Sequence, residues 1–292
     1  MRIISVINQK GGCGKTTTTI NLGACLAHAG RQVLIIDLDP QGHSSLGLNI
    51  KPEEVTKGMT EVLTQGAELS DVIIESISPN LDLAPANLTL SAVEQLLAEA
   101  HHKEQKLLRA IQMLRKSYQY VIIDSPPSLG LLTFNALRAS QEAIVPVEMG
   151  FFSLHGLAKL MEIIDVLARH TGHEVKVRAL ATMVNVRTKF TQEMIDEIRK
   201  HFQGRVFATQ VRNNVRLREA ASHGLPITEY DIDSIGAHDY QALAREVILS
   251  ERATEHVVPA IAAAVAPMVP AYEAEQFLGP MTVDELFSER PE

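Results

Sequence analysis

The sequence predicts an α/β fold, a mostly parallel twisted sheet with helices on both faces. Three observations lead there. Short β-branched runs alternate with longer segments of helical period along most of the 292 residues. Two of those runs, Val33–Ile36 and Val121–Ile123, are apolar throughout, as strands buried on both faces are, whereas half-exposed strands alternate. The first run, Ile3–Ile7, passes through a glycine-rich stretch directly into a helical segment.

In chain order, strands are expected at Ile3–Ile7, Gln32–Ile36, Leu81–Ala84, Tyr120–Ile123, Ala143–Val147, Arg178–Val184 and Val206–Ala208. Between them, helical periods run over Lys15–Ala29, Ser91–Ala100, Lys103–Ser117, Thr133–Ala139, Gly156–Arg169, Thr191–His201 and Val215–Ser222, with a last helix at Asp239–Glu251. Aromatic residues make up only 4% of the chain and Trp is absent, so the core is built from Ile, Leu, Val, Ala and Met. No internal repeat is visible.

Charge is uneven. Residues 251–292 carry eight acidic and two basic side chains, a net −6 of the chain's −8. Beyond the last helix the composition turns to Ala, Pro and Glu, which reads as an extension outside the main domain. Residues 169–218 carry eleven Lys or Arg against four Asp or Glu, a local +7, so the acidic total does not exclude a basic face. Two cysteines, Cys13 and Cys25, are too few for a disulfide framework and read as reduced thiols. No signal peptide and no apolar run near the ~20 residues of a membrane span are seen. The expectation is a cytoplasmic protein.

The segment Gln9-Lys10-Gly11-Gly12-Cys13-Gly14-Lys15-Thr16-Thr17 follows a buried strand and opens a helix. Glycines let successive backbone N–H groups turn inward onto phosphate oxygens, and the helix N-terminus adds partial positive charge. Lys15 can reach the β- and γ-phosphates, and the Thr16 hydroxyl can meet Mg²⁺. Lys10, Gly11, Gly12, Cys13, Gly14, Lys15, Thr16 and Thr17 are therefore candidate ATP contacts. The strict G-x-x-x-x-G-K-[ST] pattern fails at one place, where Gln9 stands for its first glycine.

Two further strands end in carboxylates. In Ile36-Asp37-Leu38-Asp39-Pro40-Gln41-Gly42, Asp37 and Asp39 are two apart and face the same side where the strand runs out. In Val121-Ile122-Ile123-Asp124-Ser125-Pro126-Pro127, an apolar strand delivers Asp124 to the carboxyl edge of the sheet, where ligands of such folds bind. There Asp124 can hold Mg²⁺ directly or through water. Pro126 and Pro127 stiffen its turn.

Lys10-Gly11-Gly12-Cys13-Gly14-Lys15-Thr16 resembles the deviant Walker A loop of the ParA/MinD family of dimerising P-loop ATPases. Asn21-Leu22-Gly23-Ala24, Asn135-Ala136-Leu137 and Asn214-Val215-Arg216-Leu217-Arg218-Glu219-Ala220 extend the resemblance over roughly residues 1–250. The resemblance points to the small chromosomal, Soj-like ParA proteins, on the expectation that no DNA-reading domain precedes the loop. On this resemblance residues 1–252 form the ATPase domain and 253–292 an acidic extension. Lys10 reaches across a homodimer to the partner's nucleotide, where Gly12 permits close approach. Lys15 and Asp39 complete the catalytic set. Asp39 positions the attacking water, and Thr16, Asp39 and Asp124 surround Mg²⁺, with Asp37 near that shell.

The family commonly has Ile-Pro-Arg-Asn where this chain has Val211-Arg212-Asn213-Asn214. Arg212 and Asn213 are thus candidate base contacts on an altered loop, with Asn185 a third. Family members bind double-stranded DNA without sequence preference as ATP dimers, which marks Arg187, Lys189, Arg216 and Arg218. The same resemblance implies a ParB-type stimulating protein, slow turnover, nucleoid association and chromosome, plasmid or other cargo partitioning. Competing readings are a MinD-like regulator acting at a membrane or on a protein, and an ATP-gated DNA-binding scaffold with negligible turnover. The acidic C-terminus argues against membrane attachment. An iron–sulfur relative is discounted on the placement of the two cysteines, and a synthetase of the same superfamily would need a substrate site that the sequence does not locate.

Overall fold

Neighbouring strand residues part to opposite sides of the sheet. Ile3, Leu34, Ile36, Val121 and Ile123 enter one apolar core, while Ile4, Val33, Ile35, Tyr120 and Ile122 enter another. This is the period-2 alternation of a strand covered on both faces. The chain is described by a computed structural model over residues 1–202 and 205–250; the extension expected at 253–292 lies outside them.

Seven strands form one sheet: β1 (Arg2–Val6), β2 (Val33–Asp37), β3 (Ile74–Ser78), β4 (Leu81–Ala84), β5 (Tyr120–Asp124), β6 (Glu142–Glu148) and β7 (Lys176–Thr182). Their order is β3-β4-β2-β5-β1-β6-β7. Every pairing is parallel except β3 with β4. Helices Lys15–His28 and Ile235–Leu249 bury their apolar residues in the second core. Met59–Gln65, Lys106–Gln112 and Leu131–Ala139 contribute theirs to the first. β1 lies between β5 and β6, so the loop that leaves it opens at the middle of the carboxyl edge.

Six of the seven expected strands form, within two residues of their expected ends. The seventh, at Val206–Ala208, reduces to a single bridge between Ala179 and Val206. The segment leaves the ladder because the Glu246 carboxylate accepts the N–H groups of both Ala208 and Thr209, each at 3.0 Å. β3 was not expected. It is an antiparallel edge strand with Asn80 at φ 64° in its turn, and its Glu75 and Ser76 hide the apolar signal.

The helix expected to run to Ser117 stops at Gln112. Tertiary ties hold the residues beyond it: the Arg115 N–H donates to Ser70 Oγ at 3.1 Å, and Lys116 and Tyr118 both donate to Asp82. The helix expected at Ser91–Ala100 divides into a 3₁₀ turn, Leu88–Ala92, and the short helix Val93–Leu96.

Candidate phosphate and magnesium site

The loop from β1 turns on two glycines in the left-handed region, Gly12 at φ 74° and Gly14 at φ 95°. At Gly12 an added Cβ would meet nothing within 4 Å, so backbone conformation rather than space calls for glycine. Gly14 caps the helix that begins at Lys15. Cys13 is buried beneath the loop, its Sγ donating to the Lys10 carbonyl at 3.2 Å, while its own carbonyl accepts from Thr182 Oγ1 of β7 at 2.9 Å. Burial raises the Cys13 thiol and pushes Cys25 up to about 12, so both stay protonated and unreactive.

The two loop lysines have different surroundings. Lys15 is buried and its Nζ donates to the Lys10 carbonyl at 3.1 Å. Lys10 lies on the outside, its side chain 38% exposed and its Nζ 2.5 Å from Glu148 Oε2 at the end of β6. Thr17 lines a cavity of about 320 Å³ with Thr16, Asn21, His43, Leu46 and Leu217.

β2 and β5 bring their terminal carboxylates to this loop in register, Asp37 opposite Asp124. Asp124 Oδ2 accepts from Thr16 Oγ1 and from Ser44 Oγ, each at 2.8 Å. Both Asp37 oxygens are bonded: Oδ1 accepts the Asp39 N–H, and Oδ2 accepts both the N–H and the hydroxyl of Ser45. Asp37 therefore organises the turn into the short helix His43–Leu46 rather than facing a ligand. Asp39 is nearly buried, its Oδ1 accepting the Gln41 N–H at 3.0 Å. Both Asp37 and Asp124 are raised well above the usual carboxylate range. Burial is the main cause for each, followed for Asp37 by the charge of Asp124; the charge of Asp39 adds to the rise at Asp124, against the bonds from Thr16 and Ser44.

These residues fit Mg²⁺. A hydroxyl and a carboxylate oxygen, hard donors, meet at the mouth of the loop, and burial leaves the Asp124 carboxyl raised in spite of the nearby Lys15 charge. Among the described residues no three His, Cys, Asp or Glu side chains form a metal cage. That is normal for Mg²⁺, which binds through one or two carboxylates, phosphate oxygens and water.

The raised carboxyls set the pH dependence. Without metal the folded chain holds protons that the unfolded chain releases, so their contribution to stability is full below the ordinary carboxylate range. It is lost as pH rises through the raised values. Asp124→Asn is expected to stabilise the metal-free protein near neutral pH by on the order of 1 kcal/mol, roughly 2–4 °C in midpoint, with the gain vanishing toward pH ~4, the ordinary carboxylate value. Thermal melts in a chelator across pH check this.

The other expected site residues lie at the same edge of the sheet. Asn185 is exposed just beyond β7, and its carbonyl and side chain cap the turn to Thr188. The Arg212 N–H and guanidinium both bond the Asp239 carboxylate, so this side chain is committed within the fold. Asn213 is exposed, and its N–H donates to the Val184 carbonyl. That bond sets residues 184–190 beside 212–218. Arg187, Lys189, Arg216 and Arg218 are all exposed there, together with Met183, Val186, Phe190 and Val215. Arg216 is paired with Glu219 at 2.8 Å and Asp231 at 3.4 Å.

Ser44, Ser45 and Glu148 were missed in the sequence. For the serines the only signal is a polar pair following a carboxylate turn; for Glu148 it is a charge ending an apolar strand at the carboxyl edge.

A strand feeding a left-handed glycine loop, a buried lysine at the helix start and a threonine bonded to a strand-end aspartate define a P-loop NTPase site. A family model described as an AAA domain matches residues 1–177. The sporulation initiation inhibitor protein Soj of Bacillus subtilis is 42% identical over 247 residues, 84% of this chain and 98% of the relative. The chromosome partitioning protein ParA of Myxococcus xanthus is 40% identical over 85% of this chain and 88% of its own length. Among solved structures, cobyrinic acid a,c-diamide synthase of Mycobacterium smegmatis, with an ATP analogue and magnesium bound, superposes with a TM-score of 0.76 at 30% identity, covering 89% of this chain and 98% of that one. The chain belongs to the ParA/Soj family of P-loop ATPases, and its cofactors are ATP and Mg²⁺.

Proposed function

We propose that the protein is a nucleotide-driven switch that dimerises on ATP, coats double-stranded DNA without sequence preference, and partitions a chromosome, plasmid or other cargo. The observation that carries this reading is the division of labour between the two loop lysines. Lys15 is buried toward its own phosphate site, while Lys10 sits outside on a glycine-lined surface. That arrangement suits a charge supplied to a second copy's nucleotide. The exposed apolar side chains Met183, Val186, Phe190 and Val215 at the same edge suit a protein interface.

Magnesium, when bound, draws negative charge from the transferring phosphoryl group. The chain's own residues do the rest: the loop N–H groups and Lys15 hold the phosphates, Thr16 and Asp124 orient the metal side, and Asp39 orients water. Hydrolysis is slow until a ParB-type protein stimulates it, and the protein works in the cytoplasm on the nucleoid. Residues 1–252 form the ATPase domain, and Asn185 and Asn213 are the contacts offered to the base.

DNA contact runs through Arg187, Lys189, Arg216 and Arg218. Such a patch gains affinity by releasing phosphate counterions and needs no base reading. The test measures DNA retention and mass with no nucleotide, ADP and ATP–Mg²⁺. Retention and doubled mass with ATP alone, with retention falling off as salt rises, support the reading. Doubled mass without retention would move the protein to a relative acting on a protein or membrane. Arg216→Glu is expected to weaken DNA retention at least ~10-fold, through the loss of counterion release, while the ATP-dependent mass stays doubled. Loss of both would overturn its assignment to DNA.

A further inference from the structure

We infer that Ser44 is a positioning residue for magnesium: its hydroxyl fixes the Asp124 carboxylate and ties the short helix His43–Leu46 to the metal site. The inference rests on the reading of Asp124 as the magnesium carboxylate.

The geometry is specific about which oxygen is occupied. Asp124 Oδ2 accepts two hydroxyls at 2.8 Å, from Thr16 and from Ser44. A carboxylate oxygen has two lone pairs, so Oδ2 is filled. Among the described residues Oδ1 accepts only a long bond of 3.4 Å from Thr19, which leaves it the oxygen able to turn to a metal ion or its bound water. Thr16 stands on the long helix Lys15–His28. Ser44 is fully buried and comes from a helix of four residues. Two hydroxyls from different elements stop the carboxylate from rotating about its Cβ–Cγ bond; one would leave it a swivel.

The neighbouring serine makes the tie two-sided. Ser45 donates its N–H and hydroxyl to Asp37 Oδ2, at 2.8 and 2.7 Å, and its hydroxyl accepts the Ala86 N–H at 3.1 Å. One short helix thus holds both buried carboxylates through adjacent residues. On its other side His43 and Leu46 face the cavity of about 320 Å³ rather than packed side chains. The serines tie it to the carboxylates at the sheet edge, and a metal bound at Asp124 steadies the helix through Ser44. Hydrogen-bond partners that orient a metal ligand typically matter 10–100-fold in metal affinity.

The test uses Mn²⁺ as the spectroscopic probe with ADP present, reading free Mn²⁺ by electron paramagnetic resonance, and amide exchange over residues 43–50 with and without Mg²⁺–ADP. Ser44→Ala is expected to bind Mn²⁺ about 10-fold more weakly, to keep ADP affinity in chelator, and to lose metal-induced protection of the 43–50 amides. Ser44→Thr, which keeps the hydroxyl, is expected to restore both. Parent-like Mn²⁺ affinity in Ser44→Ala, alongside a weakened Asp124→Asn, would overturn the inference. If Asp124→Asn itself binds Mn²⁺ like the parent, the reading of Asp124 fails instead.

Discussion

Lys15→Ala is expected to lower ATP affinity by about three orders of magnitude while leaving the fold intact. The size follows from chemistry. Hydrogen bonds to charged groups contribute about 1.5–3 kcal/mol each, and a lysine bridging the β- and γ-phosphates makes two. A loss near ~4 kcal/mol is roughly a thousandfold. Lys15 is buried and already drawn over the loop, its Nζ on the Lys10 carbonyl at 3.1 Å, so little ordering remains to be done when the phosphates arrive. That bond is to a neutral carbonyl that also accepts from Cys13 Sγ; the Lys15 charge also holds the buried Asp124 carboxyl down, so its removal raises that carboxyl further. Calorimetric titration with a non-hydrolysable ATP analogue and Mg²⁺, with circular dichroism as the fold control, checks the prediction. Unchanged affinity would mean that the loop is not the phosphate site.

The phosphate loop was legible because its requirement is local. Left-handed backbone at Gly12 and Gly14 and a helix opening on Lys15 follow from residue types within a dozen positions. The strand-end carboxylates were legible for a related reason: an apolar run that ends in Asp delivers it to the sheet edge wherever that run lies in the sheet. What the sequence hid is pairing between distant segments. Nothing near Ser44 points to Asp124, eighty positions on, and nothing near Lys10 points to Glu148. The β6 end that carries Glu148 reaches the loop only because β6 lies beside β1 in the sheet order.

The basic stretch shows the same limit. Counted along residues 169–218 it is +7, yet part of that charge is consumed within the fold. Arg178 pairs with Glu246 and Arg212 with Asp239, whereas Arg216, which also meets Glu219 and Asp231, keeps its side chain 51% exposed. A charge count along the chain cannot distinguish an arginine that faces solvent from one that holds a loop to a helix. The departure from the family's usual proline at position 212 is explained the same way. Arg212 uses the N–H that proline would lack, together with its guanidinium, to bind one carboxylate.

Asp39→Ala is expected to leave ATP binding intact, to cut turnover at least ~100-fold, the low end for a positioned proton acceptor or water-orienting group, and to accumulate the protein at doubled mass in ATP. Three features of Asp39 support that outcome. It lies at the carboxyl edge beside Asp124, close enough that its charge helps raise the Asp124 carboxyl. One oxygen is anchored by the Gln41 N–H at 3.0 Å and the backbone by Gly42 N–H to its carbonyl at 2.8 Å, so the side chain is aimed. Its other oxygen makes no hydrogen bond among the described residues and has capacity for a water. Asp37 is built differently, with both oxygens bonded inside the fold. Asp37→Ala should therefore disturb the turn and lower stability, whereas Asp39→Ala should stop the reaction with the site still assembled. Single-turnover hydrolysis read beside light scattering separates the cases. Normal turnover in Asp39→Ala would remove it from the chemistry; slow turnover without the doubled mass would keep its role with water and overturn the link between ATP retention and dimerisation.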